Sequence, residues 1–227
     1  MANADALALE ATGLDRVYGT GGQRLEALKN VSLGVAPGES VAIMGPSGSG
    51  KSTLLYILAG LDLPDEGTVK LAGIDWKTLI GSARARFRRR NCGFIAQGLA
   101  LLPQATAAEN VEVPLLLDGV AAAERGPRVA EALERVGLSH LKGSLTDELS
   151  GGEQQRVAIA RALALEPAVV LADEPTGSLD SVTAQTVAKL LVAAASERGA
   201  AVILVTHDPA IARHAGRIVT MHSGAIA

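Results

Sequence analysis

Four short apolar runs punctuate the chain: VAIM at 41–44, CGFIA at 92–96, AVVLA at 168–172 and AVILV at 201–205. None alternates apolar with polar positions, and together they are rich in β-branched residues, which predicts strands buried on both faces of a parallel sheet. Elsewhere the period changes. STLLYILAGL, directly after Lys51, and DSVTAQTVAKLLVAAASERG at 180–199 read as crossover helices, the second stopped by Gly199. ALALEATGLDRVYG and the alternating EALKNVSLGVAPGE predict strands with a turn at Pro37-Gly38, and GTVKLAGID predicts one more short strand. From Thr106 to Leu149 two helical patterns, AAENVEVPLLL and GPRVAEALERVGL, follow one another with no apolar strand between them, and Pro114 is expected to kink or break the first. The expectation is a single α/β domain over 1–227: a core of 1–105 and 165–227 with a mainly parallel sheet and an N-terminal antiparallel β subdomain, and a helical subdomain inserted at 106–164.

Each apolar run stops at residues suited to phosphate chemistry. In open α/β sheets ligands gather at the carboxyl ends of the strands, so the four run ends are expected to converge. After VAIM comes GPSGSGKST at 45–53, which satisfies the phosphate-loop pattern G-x-x-x-x-G-K-[ST]. Gly45, Gly48 and Gly50 allow backbone N–H groups to close around a phosphate, Lys51 reaches its outer oxygens, and Ser52 is placed to ligate Mg²⁺. AVVLA leads into Asp173 and Glu174; the first carboxylate suits Mg²⁺ and the second suits orienting or deprotonating an attacking water. CGFIA leads to Gln97, whose amide suits Mg²⁺ and the same water, and AVILV leads to Thr206 and His207, placed to hold the γ-phosphate or the water from the other side. Tyr18, in RVYGTGG, is a candidate for stacking on a nucleobase, a contact worth ~1–3 kcal/mol.

Composition narrows the setting. With 227 residues and 48% apolar composition the chain can bury a substantial core. Its apolar runs fall far short of the roughly 20 residues needed to span a bilayer. MANADALALE at the start has neither a basic opening nor a long apolar stretch, so a cytosolic location is expected. The single cysteine, Cys92, reads as a small buried apolar residue. A formal charge of −3 offers no basic field for nucleic acid. RARFRRRN at 84–91 departs from that balance and reads as a solvated helix face.

A second anion-binding helix start complicates the picture. LSGGEQQRVAIARAL at 149–163 opens with a serine cap and two glycines, although the chain already holds a phosphate loop. With Walker A at 45–53, Gln97, LSGGEQQ, VVLADE at 169–174, SLD at 178–180 and THD ending in Asp208, the chain resembles the ATP-binding subunits of ABC transporters along essentially its whole length. That resemblance implies a P-loop ATPase using ATP and Mg²⁺. It implies Glu174, His207 and Gln97 as catalytic residues, and Ser52, Gln97 and Asp173 around the metal. Nucleotide contacts are implied for Tyr18, Gly45, Pro46, Ser47, Gly48, Ser49, Gly50, Lys51, Ser52 and Thr53. From a second copy they are implied for Ser150, Gly151, Gly152, Glu153 and Asp180.

Two copies would sandwich two ATP molecules head to tail, which gives the second helix start its purpose. A separate transmembrane permease is the implied partner, with the chain peripheral on the inner face of the plasma membrane. FIAQGLALLP, AAENVEVPLLLDG and LADEPTGSLDS resemble the subgroup of macrolide-export and lipoprotein-release ATPases, from which Ala96 departs by lacking a second aromatic before Gln97. Leu99, Leu101, Leu102 and Pro103 are expected to edge a groove for the permease. A regulator of cell-wall remodelling uses the same cassette and is the alternative reading. A soluble non-transport ABC protein is a further one, although such chains resemble two fused cassettes or one split by a long coiled coil, and neither pattern occurs in these 227 residues.

Overall fold

A computed structural model describes residues 7–19 and 24–227; the stretch through Ala6 and the Thr20–Gln23 part of the glycine-rich turn lie outside the described residues. In chain order the strands are β1 (Leu9–Tyr18), β2 (Leu25–Val35), β3 (Ser40–Met44), β4 (Glu66–Leu71), β5 (Ile74–Asp75), β6 (Cys92–Ile95), β7 (Val169–Asp173), β8 (Ala201–Val205), β9 (Arg217–His222) and β10 (Ala225–Ile226). The helices are α1 (Lys51–Leu58), α2 (Ser82–Asn91), α3 (Ala107–Leu117), α4 (Ala122–Arg135), α5 (Gly151–Leu163), α6 (Ser181–Ser196) and α7 (Pro209–Ala212).

The four apolar runs become β3, β6, β7 and β8, side by side in a six-stranded sheet of order β10-β9-β3-β8-β7-β6. All neighbours in it run parallel except β10, which pairs antiparallel with β9. The missing alternation has its reason in two cores. Val41, Ile43, Leu171 and Ile203 point into one apolar cluster, shared with α1 and the N-terminal strands. Ala42, Val170, Val202 and Leu204 point into another, which runs without a break into α3, α4, α5 and α6. A strand with an apolar cluster on either side has no polar face to show.

β2, β1, β4 and β5 form the expected antiparallel sheet. The turn from β2 to β3 is a Pro37-Gly38 corner, with Gly38 at φ 73° and Glu39 N–H donating to Ala36 O at 3.1 Å. Two expectations need revision, and one element has no counterpart among them. GTVKLAGID is two strands rather than one, because Ala72 and Gly73 take φ 46° and 77° and turn the chain back on itself. Pro114 does not end its helix: α3 runs through it to Leu117, losing one backbone bond while the buried Val111 and Leu115 hold the helix to the core. The final segment forms the hairpin β9–β10, which carries no long apolar run for the eye to find.

α2 has no fully buried residue, yet it is less solvated than expected: of its five arginines only Arg86 and Arg90 are exposed, Phe87 packs against the apolar cluster, and Arg89 and Arg90 both reach Asp118 at the end of α3. Cys92 is buried in an apolar setting that pushes its thiol up to about 12. No helix among the described residues is long and apolar enough to cross a membrane.

Helix α5 lies hard against β6. A Cβ on Gly93 would stand 2.5 Å from Ala162 O. Gly93→Ala is therefore expected to lower unfolding free energy by about 1–3 kcal/mol, because the helix backbone itself must shift. Urea unfolding at unchanged m checks the sign and size of the loss.

Candidate functional site

The carboxyl ends of β3, β7 and β8 and the start of α1 open onto one cleft of about 720 Å³. Tyr18, Ser47, Gly48, Gly50, Lys51, Ser52, Thr53, Gln97, Glu174 and His207 line it, so the sequence motifs do converge. Gly45, Pro46 and Ser49 belong to the same loop but form its back rather than its lining.

The three glycines of the loop do different work. A Cβ on Gly45 would sit 2.2 Å from Met221 O, and one on Gly50 would sit 2.3 Å from Ala27 O. Both glycines let the loop press against neighbouring backbone, from β9 on one side and β2 on the other. Only Gly48, at φ 77° with nothing within 4 Å, faces open space. Its glycine is required by backbone conformation, and it lets a ligand approach the main chain. Ser49 is buried with a side-chain oxygen that has no partner, wedged beneath the loop. Lys51 is buried too, and its Nζ donates to Gly45 O and Pro46 O at 2.9 Å each. The ammonium is thus held inside the curl of the loop, with one of its three N–H groups left over.

Ser52 Oγ donates to Asp173 Oδ1 at 3.2 Å, joining the first turn of α1 to the end of β7. Burial raises the Asp173 pKa above the ordinary carboxylate value; the Ser52 bond opposes this, the charge of Glu174 adds to it, and Lys51 offsets it in part. Glu174 follows with φ 46°, a left-handed turn fixed by its N–H donating to Val205 O at 3.0 Å. The turn swings its carboxylate into the cleft, where Oε1 lies 2.8 Å from His207 Nδ1. Against an ionised carboxylate Nδ1 is the donor, which leaves Nε2 facing outward as an acceptor in the neutral ring.

At the other end of the cleft Tyr18 is held at its hydroxyl edge and on one face. Its hydroxyl donates to Asp62 Oδ2 at 2.8 Å, and Arg16, itself paired with Asp62 and Asp65, lies 4.6 Å from the ring centroid. Leu25, the β-ladder partner of Tyr18, and Ala27 extend this end as an apolar wall. The sequence reading missed both. Leu25 and Ala27 alternate on one strand face, and Leu25 is 64% exposed, an apolar residue left in the open where a strand begins.

Ser150, Gly151, Gly152, Glu153 and Asp180 do not line this cleft. Ser150 caps α5 in a closed capping box: its hydroxyl donates to Glu153 Oε2 at 2.6 Å and accepts from the Glu153 N–H at 3.4 Å. The Ser150 hydroxyl and backbone N–H hold the Glu153 carboxyl below its usual range. Asp180 caps α6, accepting from the N–H groups of Val182 and Thr183. A Cβ on Gly152 would stand 2.7 Å from Thr183 Cγ2, so the two helix starts are packed against each other.

The expected groove edge changes composition. Leu99 and Leu101 pack inward against the apolar cluster, while Leu102 is 48% exposed and Pro103 is exposed. A separate groove of about 340 Å³ lies nearby, with Phe94, Ala100, Val113, Pro114 and Leu117 among its walls.

Known proteins share this arrangement. The ABC transporter family matches residues 28–177. The chain is 46% identical over 218 residues to the lipoprotein-releasing system ATP-binding protein LolD 1 of Rhodopirellula baltica, covering 96% of this chain and 95% of that one. It is 44% identical to LolD of Legionella pneumophila (strain Paris), covering 96% of each. Among solved structures, dimeric MJ0796, a bacterial ABC transporter cassette, superposes with a TM-score of 0.86 at 42% identity over 96% of each chain. A dimeric post-hydrolysis state of the same cassette bound to ADP and Pi superposes with a TM-score of 0.85 at 41% identity, again over 96% of each. With a phosphate loop, an Asp-Glu pair, a glutamine and a histidine converging on one cleft, the chain belongs to the ABC transporter family, as an ATP-binding ATPase.

Proposed function

We propose that the chain hydrolyses ATP as half of a head-to-tail homodimer and drives a separate membrane permease in lipoprotein release. The observation that carries the dimer is the division of anion-binding groups within one chain: the cleft holds Lys51 and the phosphate loop, and the helix start at Ser150 stands outside it. The first N–H groups of α5 have no acceptor within the helix, so they suit the γ-phosphate held by a second copy. The dimeric MJ0796 cassette supports the same arrangement.

Within the cleft each residue takes a role that its position allows. Tyr18 and the Leu25–Ala27 wall flank the adenine. Gly48 and Lys51 hold the phosphates, with Ser47 and Thr53 beside them. Ser52 and Asp173 present hard oxygens 3.2 Å apart, and Gln97 adds its amide, a set that suits Mg²⁺. Bound there, the ion neutralises charge on the phosphate oxygens. Glu174 orients the attacking water, and His207 fixes Glu174 through the 2.8 Å bond.

Relatives named for lipoprotein release, at 44% to 46% identity over nearly the whole chain, support that task. The groove walled by Phe94, Ala100 and Leu117, with Leu116 and Leu117 half or more exposed beside it, suits a helix of the permease and a place on the inner face of the plasma membrane. Residues 106–164 then act as the helical subdomain that carries Ser150 toward the opposing nucleotide.

Glu174→Gln is expected to keep ATP binding, lower turnover at least about a hundredfold and leave a dimer visible by gel filtration only with ATP. Turnover within a few-fold of the parent would remove Glu174 from its role. Asp173→Asn is expected to abolish turnover yet raise the unfolding midpoint of the nucleotide-free chain at pH 7. Burial raises the folded pKa of Asp173, so its ionised form weakens the fold at neutral pH. That penalty fades as pH falls through the folded pKa, and the gain over the parent should shrink with it. Thermal unfolding between pH 7 and pH 4 reads both effects; a lowered midpoint at pH 7 would mean that the Ser52 bond outweighs burial.

A further inference from the structure

Arg161, in the last turn of α5, lies outside the nucleotide cleft and carries none of the roles given above. Its guanidinium reaches into the loop that follows β6. Nη1 donates to Ala100 O at 2.6 Å and Nη2 to Leu99 O at 2.5 Å. Those two carbonyls belong to consecutive non-glycine residues with left-handed backbone, φ 56° at Leu99 and 49° at Ala100. L-residues keep that conformation only where the surroundings impose it. Leu99 N–H donates to Ala96 O and Ala100 N–H to Gly98 O, so the loop curls tightly around the two positions after Gln97.

The guanidinium is half-buried where it makes these bonds. Burial lowers the pKa of Arg161, and no carboxylate among the described residues forms an ion pair with it. A half-buried charge committed to two carbonyls and to no carboxylate gives the loop a fixed geometry at that point. The reach is short because α5 touches β6 directly at Gly93 and Ala162. Arg161 and Ala100 also share the walls of the 340 Å³ groove.

We propose that Arg161 is a positioning residue for Gln97: by pinning Leu99 and Ala100, helix α5 sets where the Gln97 side chain stands in the cleft. The inference rests on the role proposed above for Gln97. One rigid fork then ties three things together: the helix that begins at Ser150, the glutamine in the cleft, and the floor of the groove. Lysine cannot replace the fork, because it offers a point charge on a flexible stem where two divergent carbonyls must be met at once.

The test is a double-mutant cycle on the full chain, reading kcat and KM for ATP, with thermal unfolding to confirm the fold. Arg161→Lys is expected to lower kcat about tenfold and leave KM within about twofold. In a Gln97→Ala background the same substitution is expected to change kcat less than about twofold, since no side chain remains to be positioned. Arg161→Gln, which keeps a planar group with donors, serves in the same cycle if the lysine variant does not fold. A tenfold loss that persists without Gln97, or parental turnover by the arginine variants, overturns the inference while Gln97 keeps its role. Parental turnover by Gln97→Ala overturns that role and the inference with it.

Discussion

Two contacts that leave no room for a side chain govern this molecule: the backbone of the phosphate loop against Met221 O at Gly45 and against Ala27 O at Gly50. One belongs to the large sheet and the other to the small one. The loop is therefore a seam between two sheets, and a further bond, Gly224 N–H to Ser49 O, tightens it. Lys51 completes the arrangement by turning its ammonium inward onto the loop's own carbonyls. A loop of small residues, which alone would sample many shapes, is held in one shape by its neighbours. The phosphate site is preorganised because it is structurally trapped.

Charge is arranged with equal economy. Asp173 sits buried beside the loop at an electrostatic cost, and Glu174, less deeply buried, is brought to His207 by a left-handed turn. Adjacent carboxylates with unlike surroundings can take unlike tasks. On the far motif, Ser150 and Glu153 satisfy each other in a closed box, which keeps an isolated helix start orderly while its glycine N–H groups stay available.

Much of this was legible in the residues. Apolar runs without alternation announced the parallel strands, because a strand with cores on both faces has no polar side. The phosphate loop, the Asp-Glu pair and His207 were found at run ends for the same reason. Other features had no local signal. Nothing near Gly45 in sequence says that β9, from the far end of the chain, supplies the carbonyl against it. Leu25 and Ala27 were passed over because two apolar residues at a strand start look like ordinary packing. Leu99 and Leu101 resembled an exposed edge, yet left-handed turns at 99 and 100 fold them inward, and such turns at non-glycine residues leave no mark in composition. Pro114 looked like a breaker, but helix packing outweighed one lost bond.

The seam at Met221 also bears on how the chain is made. Synthesis delivers the phosphate loop early and its backing strand late, after α6, β8 and α7 have all been added. Until β9 pairs beside β3, the Met221 carbonyl that backs Gly45 is missing. A chain that has not yet made β9 thus carries every residue of the phosphate loop without the backing at Met221. A tightly held nucleotide then reports that β9 has joined the sheet, because binding is linked to the folded form of the loop.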